Sequence, residues 1–288
     1  MNAIRIGTRG SALALAQARL VASSLEAVTE LVVVRTAGDE TARPIRELGD
    51  GAFVAALEES LRRGEVDVAV HSLKDLPTEA PADLVIAAVP GREDPRDVLV
   101  TAARGGLASL PRGALVGTSS PRRAAFLRAV RADVRLAEIR GNVETRMRKV
   151  RDGEFDATVL ALAGLRRLGV AISPDEILPA EVMLPAPGQG ALAVQCRASD
   201  ASLRERLARL EDPAARLAVT AERALLRSLG ASCALALGAL ATVDADRLTL
   251  SAGLAEDGGI RRARASGADP LEVAAAVAAR LATVPHAV

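Results

Sequence analysis

Asp75 closes the segment His71-Ser-Leu-Lys-Asp75, beside Lys74 and ahead of Leu76-Pro77. A carboxylate just past a strand can accept a hydrogen bond from a substrate N–H, exchange a proton and stabilise developing positive charge. The same position also suits an Asx-type loop residue. Other polar groups gather at comparable junctions: Thr8-Arg-Gly-Ser11, Thr118-Ser-Ser-Pro-Arg-Arg123 and Arg140-Gly-Asn142. Ser11 and Ser120 are either helix N-caps or ligand contacts. Arg122 and Arg123 fall in the first turn of an expected helix, where the macrodipole disfavours each cation by roughly 0.3–1 kcal/mol. An anion gripped by helix amides and guanidinium groups together would account for them. A solvated surface pair is the other reading.

Several chemistries find no support. There is no G-x-x-x-x-G-K-[ST], and Gly49-Asp-Gly51 and Gly188-Gln-Gly190 each lack the third glycine of a dinucleotide fingerprint. There is no H-E-x-x-H and no G-x-S-x-G. Cys196 and Cys233 form neither a disulfide framework nor a metal-ligand spacing, so no metal is expected. His71 lies outside the C-terminal tail and reads as structural. The three aromatic residues are all Phe, which leaves no stacking platform for single-stranded nucleic acid. A net charge of +1 argues against a general polyanion surface. Lys74 and Lys149 are the only lysines, a bias attributable to GC-rich coding, so the arginines must be judged by placement. No apolar run reaches the ~18 residues of a membrane span. The first ten residues lack a secretory pattern, and the expectation is a cytoplasmic protein.

The elements that must position these groups alternate. Strands are expected at Ile4–Gly7, Leu31–Arg35, Val66–Val70, Ala114–Gly117, Arg135–Ile139, Ala157–Ala163 and Ala191–Cys196. Helices are expected at Ser11–Ala27, Phe53–Arg63, Arg122–Val130 and Val143–Arg151. This alternation implies an α/β fold with largely parallel pairing, whose ligands sit beyond the carboxyl ends of strands. The Pro/Gly-rich passages 90–97 and 184–190 suggest a chain that leaves one lobe, builds a second and returns, with a hinged cleft between them. The last third differs. Helix Ala214–Leu229 ends at Gly230, strand-like runs cover 235–242, 248–254 and 260–265, and helix Pro270–Ala282 follows, a small α+β domain. The expected division is 1–92 with 190–210 as lobe one, 96–186 as lobe two and 213–288 as the C-terminal domain.

In order, the junction segments resemble the hydroxymethylbilane synthase (porphobilinogen deaminase) family. They are Thr8–Ser11, His71–Pro77, Arg92–Asp97, Gly117–Arg123, Arg140–Arg146, Ala163–Gly169 and Leu184–Ala191, extended by Thr220-Ala-Glu-Arg223 and Cys233. The resemblance implies an enzyme of tetrapyrrole and haem biosynthesis. Such an enzyme condenses four porphobilinogen molecules head to tail, with loss of ammonia, on a covalent dipyrromethane primer. It further implies two periplasmic-binding-protein-like (type II) lobes, a C-terminal domain carrying the primer cysteine, and a monomer without nucleic-acid or membrane partners. Asp75 matches the catalytic carboxylate. Cys233 matches the thioether anchor. Ser72, Lys74, Thr118, Ser119, Ser120, Arg122, Arg123, Arg140, Arg146, Arg167 and Gln189 match positions that hold the primer. Arg9, Ser11, Gln17, Arg140 and Arg146 match substrate contacts. Around Cys233 the chain has Ala231-Ser232 and Ala236 where the family usually has Gly-Gly and Pro, and Asp50 stands where Lys is frequent. Read without the resemblance, the same lobes and arginines would also serve a solute-binding protein that holds a carboxylate ligand without chemistry.

Overall fold

The computed structural model describes residues 3–35, 54–79, 81–102, 105–230, 235–256 and 259–282. It divides into two compact units: Met1–Glu93 with Ala191–Arg216, and Asp94–Gly190 with Leu217–Val288.

Unit one is built from β1 (Ile4–Thr8), α1 (Ala12–Ser24), β2 (Thr29–Val33), α2 (Ala55–Arg62), β3 (Val68–Ser72) and β4 (Leu84–Ala88). Its five-stranded sheet has the order β2-β1-β3-β9-β4, with β9 (Leu192–Arg197) contributed by the returning chain. β1 pairs in parallel with β2 and β3, whereas β9 runs antiparallel to both β3 and β4. One face of the sheet packs Ile4, Ile6, Val68, Val70 and Val194 against Ala18 and Val21 of α1. Leu57 and Leu61 of α2 pack with Val66 and Ala69 in a separate cluster. Helix α1 stops at Ser24, three residues short of the periodicity. Ser23 and Ser24 donate their hydroxyls to the Leu20 carbonyl, and Leu25 is already extended.

Unit two contains β5 (Asp97–Thr101), β6 (Leu115–Gly117), α3 (Pro121–Val130), β7 (Arg135–Ala137), α4 (Val143–Arg151), β8 (Ala157–Ala161) and α5 (Leu162–Arg167). The sheet order is β5-β8-β6-β7, with β6 parallel to β7 and β8 and with β5 antiparallel. Each α/β sheet thus consists of a parallel set and one strand from the crossing chain that runs the other way. Pairing is mixed rather than largely parallel, because a strand entering directly from the other lobe has no crossover helix to turn it round. Gly117 ends β6 where a Cβ would lie 2.9 Å from Ile139, so only glycine allows that approach.

After α6 (Ala201–Ala208) the chain forms α7 (Pro213–Ser228). An antiparallel sheet follows, in the order β10 (Leu237–Asp244), β11 (Arg247–Glu256), β12 (Gly259–Gly267), and α8 (Pro270–Ala282) covers it. Its core joins Ala221 and Leu225 of α7 to Leu237, Leu250, Val277 and Leu281. Two α/β lobes and a small α+β layer are therefore the architecture of the chain.

Candidate functional site

In unit one the site begins at the carboxyl end of β3. The strand continues through His71 to Ser72, two residues beyond its expected end, and a single 3-10 turn, Leu73–Asp75, follows at once. That turn presents Asp75 at the surface while Leu73 anchors it in the interior. Asp75 shares a pocket with Arg9, Gln17, His71 and Ser72, floored by Val54, Leu57 and Val70. The Gln17 amide donates to Ser72 Oγ at 2.9 Å, which ties α1 to the end of β3. Ser11 proves to be the N-cap of α1, its hydroxyl accepting from Ala14 N at 3.3 Å. Lys74 is half-buried within the 3-10 turn beside Asp75.

His71 is buried, as a structural histidine should be. Burial brings its pKa down to about 4, partly offset by a hydrogen bond to Gln195. Gln195 donates its amide N–H to Glu58 Oε1 at 3.0 Å, so its oxygen faces His71 Nε2, also at 3.0 Å. Nε2 therefore carries the proton. Sequence reasoning missed Glu58 and Gln195, which are 13 residues before and 124 after His71 respectively.

In unit two the groups assemble around a carboxylate that sequence reasoning passed over. Asp97 opens β5 and is fully buried. Arg122 Nη1 donates to Asp97 Oδ2 and Arg123 Nη2 donates to Asp97 Oδ1, each at 2.8 Å. The Gln189 amide donates to Asp97 Oδ1 at 2.9 Å and to the Pro95 carbonyl at 2.6 Å. Burial pushes the Asp97 carboxyl up, but the charges of Arg122 and Arg123 outweigh it and hold the group well below the usual carboxylate range. Both arginines are buried, 4% and 8% exposed, so they are not a solvated surface pair. The two guanidiniums and one carboxylate leave a surplus positive charge. Arg123 Nε, buried, has no hydrogen-bond partner among the described residues. A desolvated donor beside surplus positive charge is what an incoming carboxylate would satisfy.

The surrounding groups follow the same logic. Ser120 caps α3, accepting from Arg123 N at 3.4 Å, and Pro121 occupies the first helical position. Buried Thr118 accepts from Ser120 N, and Ser119 donates to the Ile139 carbonyl at 2.7 Å. Arg140 is exposed and paired with Glu138 at 3.2 Å. Arg146 Nε donates to the Gly141 carbonyl at 2.7 Å. Burial, with the nearby charge of Arg123, brings its pKa down to about 10. Arg167 Nη2 donates to the Gly190 carbonyl at 2.7 Å. Cys196 is buried in the core of unit one, whereas Cys233 lies outside the described residues, as does Asp50.

A family described as porphobilinogen deaminase, dipyromethane cofactor binding domain, matches residues 4–205, and its C-terminal domain matches residues 216–283. The chain belongs to the porphobilinogen deaminase family. A porphobilinogen deaminase of Roseiflexus castenholzii is 47% identical over 290 residues, spanning 97% of this chain and 96% of that one. That of Acidothermus cellulolyticus is 50% identical over 275 residues, spanning 92% and 83%. Among solved structures, a nutrient-binding protein from Burkholderia cenocepacia bound to methionine has a TM-score of 0.44 at 12% identity, covering 72% of this chain and 90% of that one. Membership in the family makes the chain an enzyme of tetrapyrrole synthesis from porphobilinogen, with a dipyrromethane group as cofactor. The donor set fits that cofactor: guanidinium groups match its carboxylates, and the unpartnered Arg123 Nε supplies a place for one.

Proposed function

We propose that Asp75 carries the acid/base chemistry of the porphobilinogen deaminase reaction. The observation behind this reading is the pocket that Asp75 shares with Arg9, Gln17 and Ser72. There a carboxylate for a pyrrole N–H lies near a cation for an acidic side chain. Each condensation breaks the bond between the aminomethyl carbon of porphobilinogen and its nitrogen, which leaves as ammonia after taking a proton. That carbon then bonds to the free ring carbon of the acceptor pyrrole, which gives up its proton. Positive charge resides on the pyrrole between these events. Asp75 would hold the N–H and stabilise that charge, then accept the departing proton. Arg9 and Gln17 would orient the incoming acetate and propionate, with Ser11 serving chiefly to hold α1 in place.

The primer, when bound, supplies a growing end that stays attached. Arg122, Arg123, Arg140, Arg146 and Arg167 would hold its carboxylates, with Ser72, Lys74, Thr118, Ser119, Ser120 and Gln189 completing the set and Cys233 as the anchor. Arg122 is already shared between Asp97 and the Leu184 carbonyl, so its part is mainly to fix charge, whereas Arg123 has a donor to give. We also propose that 1–92 with 190–210, 96–186 and 213–288 act as three domains. The separate core between α7, the C-terminal sheet and α8 supports the third of these. The working form would be a cytoplasmic monomer; no helix of the described residues is long and apolar enough to cross a membrane. Asp75→Asn tests the reading. It should retain the wild-type melting profile and primer mass yet release ammonia at under about one-hundredth of the wild-type rate, the lower range of acid/base contributions. Turnover within about twofold of wild type would move the chemistry to another residue.

A further inference from the structure

Glu222, on α7, is fully buried, and the chemistry proposed above makes no use of it. Its Oε2 accepts from Gly188 N at 2.6 Å and its Oε1 accepts from Ala241 N at 2.8 Å. One carboxyl group therefore ties three segments together: the helix before the Cys233 segment, the strand after it, and the loop 188–190. A second bond reinforces the seam, Ala239 N donating to the Pro185 carbonyl at 2.8 Å. Gly238 allows the contact, since a Cβ there would lie 2.6 Å from Leu184 Cβ and 2.8 Å from the Leu184 carbonyl oxygen.

The loop held in this way also locates the guanidinium cluster. Gln189 reaches Asp97 and the Pro95 carbonyl, Gly190 accepts from Arg167, and the Leu184 carbonyl accepts from Arg122. Two hydrogen bonds joined by the Gly188–Gln189 peptide link thus connect Glu222 to Asp97, and two more lead from there to Arg122 and Arg123. We propose that Glu222 is a positioning residue that fixes the chain on either side of Cys233 in register with the arginine cluster, and that it acts through Gln189 and Asp97. The inference rests on the reading of Cys233 as the primer anchor. If the anchor and the groups that hold the primer's carboxylates belong to different segments, a buried clamp between those segments sets the primer's fit.

Glu222→Gln is the informative change. Two backbone N–H groups need acceptors, and an amide offers one oxygen and one NH2, so one N–H loses its partner with little change in shape. Wild type, Glu222→Gln, Gln189→Met and the double variant would be purified from cells unable to make porphobilinogen. They would then be incubated with porphobilinogen, and intact mass followed over time. Glu222→Gln is expected to gain its two pyrrole units at least about tenfold more slowly than wild type, the factor for one charge-assisted bond. The double variant should load no more slowly than the slower single variant, because both break one relay. A purely structural Glu222 would lower the melting temperature but leave the loading rate of the folded fraction unchanged. That result overturns the proposal, as do slowdowns that multiply in the double variant. If Glu222→Gln does not fold, Gly238→Ala perturbs the same seam without touching a buried carboxyl, and its loading rate decides in the same way. Wild type that gains no mass overturns the primer reading itself, and the inference with it. Wild type that loads beside a Glu222→Gln that loads equally fast removes the inference alone.

Discussion

Replacing Asp97 with Asn tests the electrostatic account of unit two. The wild-type carboxylate is fully buried and accepts two guanidinium N–H bonds at 2.8 Å and one amide N–H bond at 2.9 Å. Removing one partner of a buried ion pair costs about 3–5 kcal/mol, because the charges left behind remain desolvated. Asn keeps the shape and one acceptor oxygen, which puts the loss near the lower end, about 3 kcal/mol. Against a total stability of roughly 5–15 kcal/mol the variant should fold but be visibly weakened. At about 2–4 °C per kcal/mol, the calorimetric transition of unit two should fall by about 6–12 °C at pH 7. The pH dependence provides the second half of the test. A carboxyl group with a depressed folded-state pKa contributes stability that is fully present above its unfolded pKa, about 3.9. That contribution is lost as pH falls toward the folded value. The gap between wild type and variant should therefore be constant from about pH 5 to 7 and shrink below about pH 4. A variant melting within about 2 °C of wild type at pH 7, or a gap that does not narrow in acid, would refute the claim that Asp97 is the counter-ion of the pair.

Other expectations follow from single contacts. Ser11→Ala removes the N-cap of α1 and should cost about 1 kcal/mol by urea denaturation, with a smaller effect on activity than Gln17→Ala. Arg146→Met should leave melting temperature unchanged or higher, since burial and the Arg123 charge already disfavour its cation, while primer loading slows. His71 should stay neutral between pH 8 and 5 by NMR. A buried neutral histidine with a lowered pKa contributes stability that is lost as pH falls from about 6.5 toward about 4, at most ~3 kcal/mol. A titration midpoint above pH 6 would contradict the burial of His71.

Much of this site was legible in the sequence where a local rule marks it. Ser120-Pro121 announces a helix start, and α4 and α8 begin and end where their periodicity says. Arg122 and Arg123 stood out because cations there oppose the helix dipole, and the structure shows the compensation. Its source, Asp97, lies 25 residues upstream of Arg122 behind a Pro-Arg pair, and no local pattern links an acid to a base across that distance. The signal available was an acid opening the apolar run Val98-Leu-Val100, a residue type that a buried strand rarely tolerates without a partner. Strands β4 and β5 escaped notice for a related reason, since the Pro/Gly-rich stretch between them hid their boundaries. The directions of β5 and β9 are set by the long-range path of the chain and not by propensity. Glu222 was visible only as part of Thr220–Arg223, because its partners Gly188 and Ala241 are backbone groups that carry no sequence signature.

The central claim is that Asp75 works on a chain of pyrroles anchored at Cys233. Peptide-resolved mass spectrometry of the purified protein tests it most directly. The peptide containing Cys233 should carry two pyrrole units, and Asp75→Asn given porphobilinogen should extend that chain at under about one-hundredth of the wild-type rate. An unmodified Cys233 peptide that remains unmodified after incubation with porphobilinogen would contradict the account.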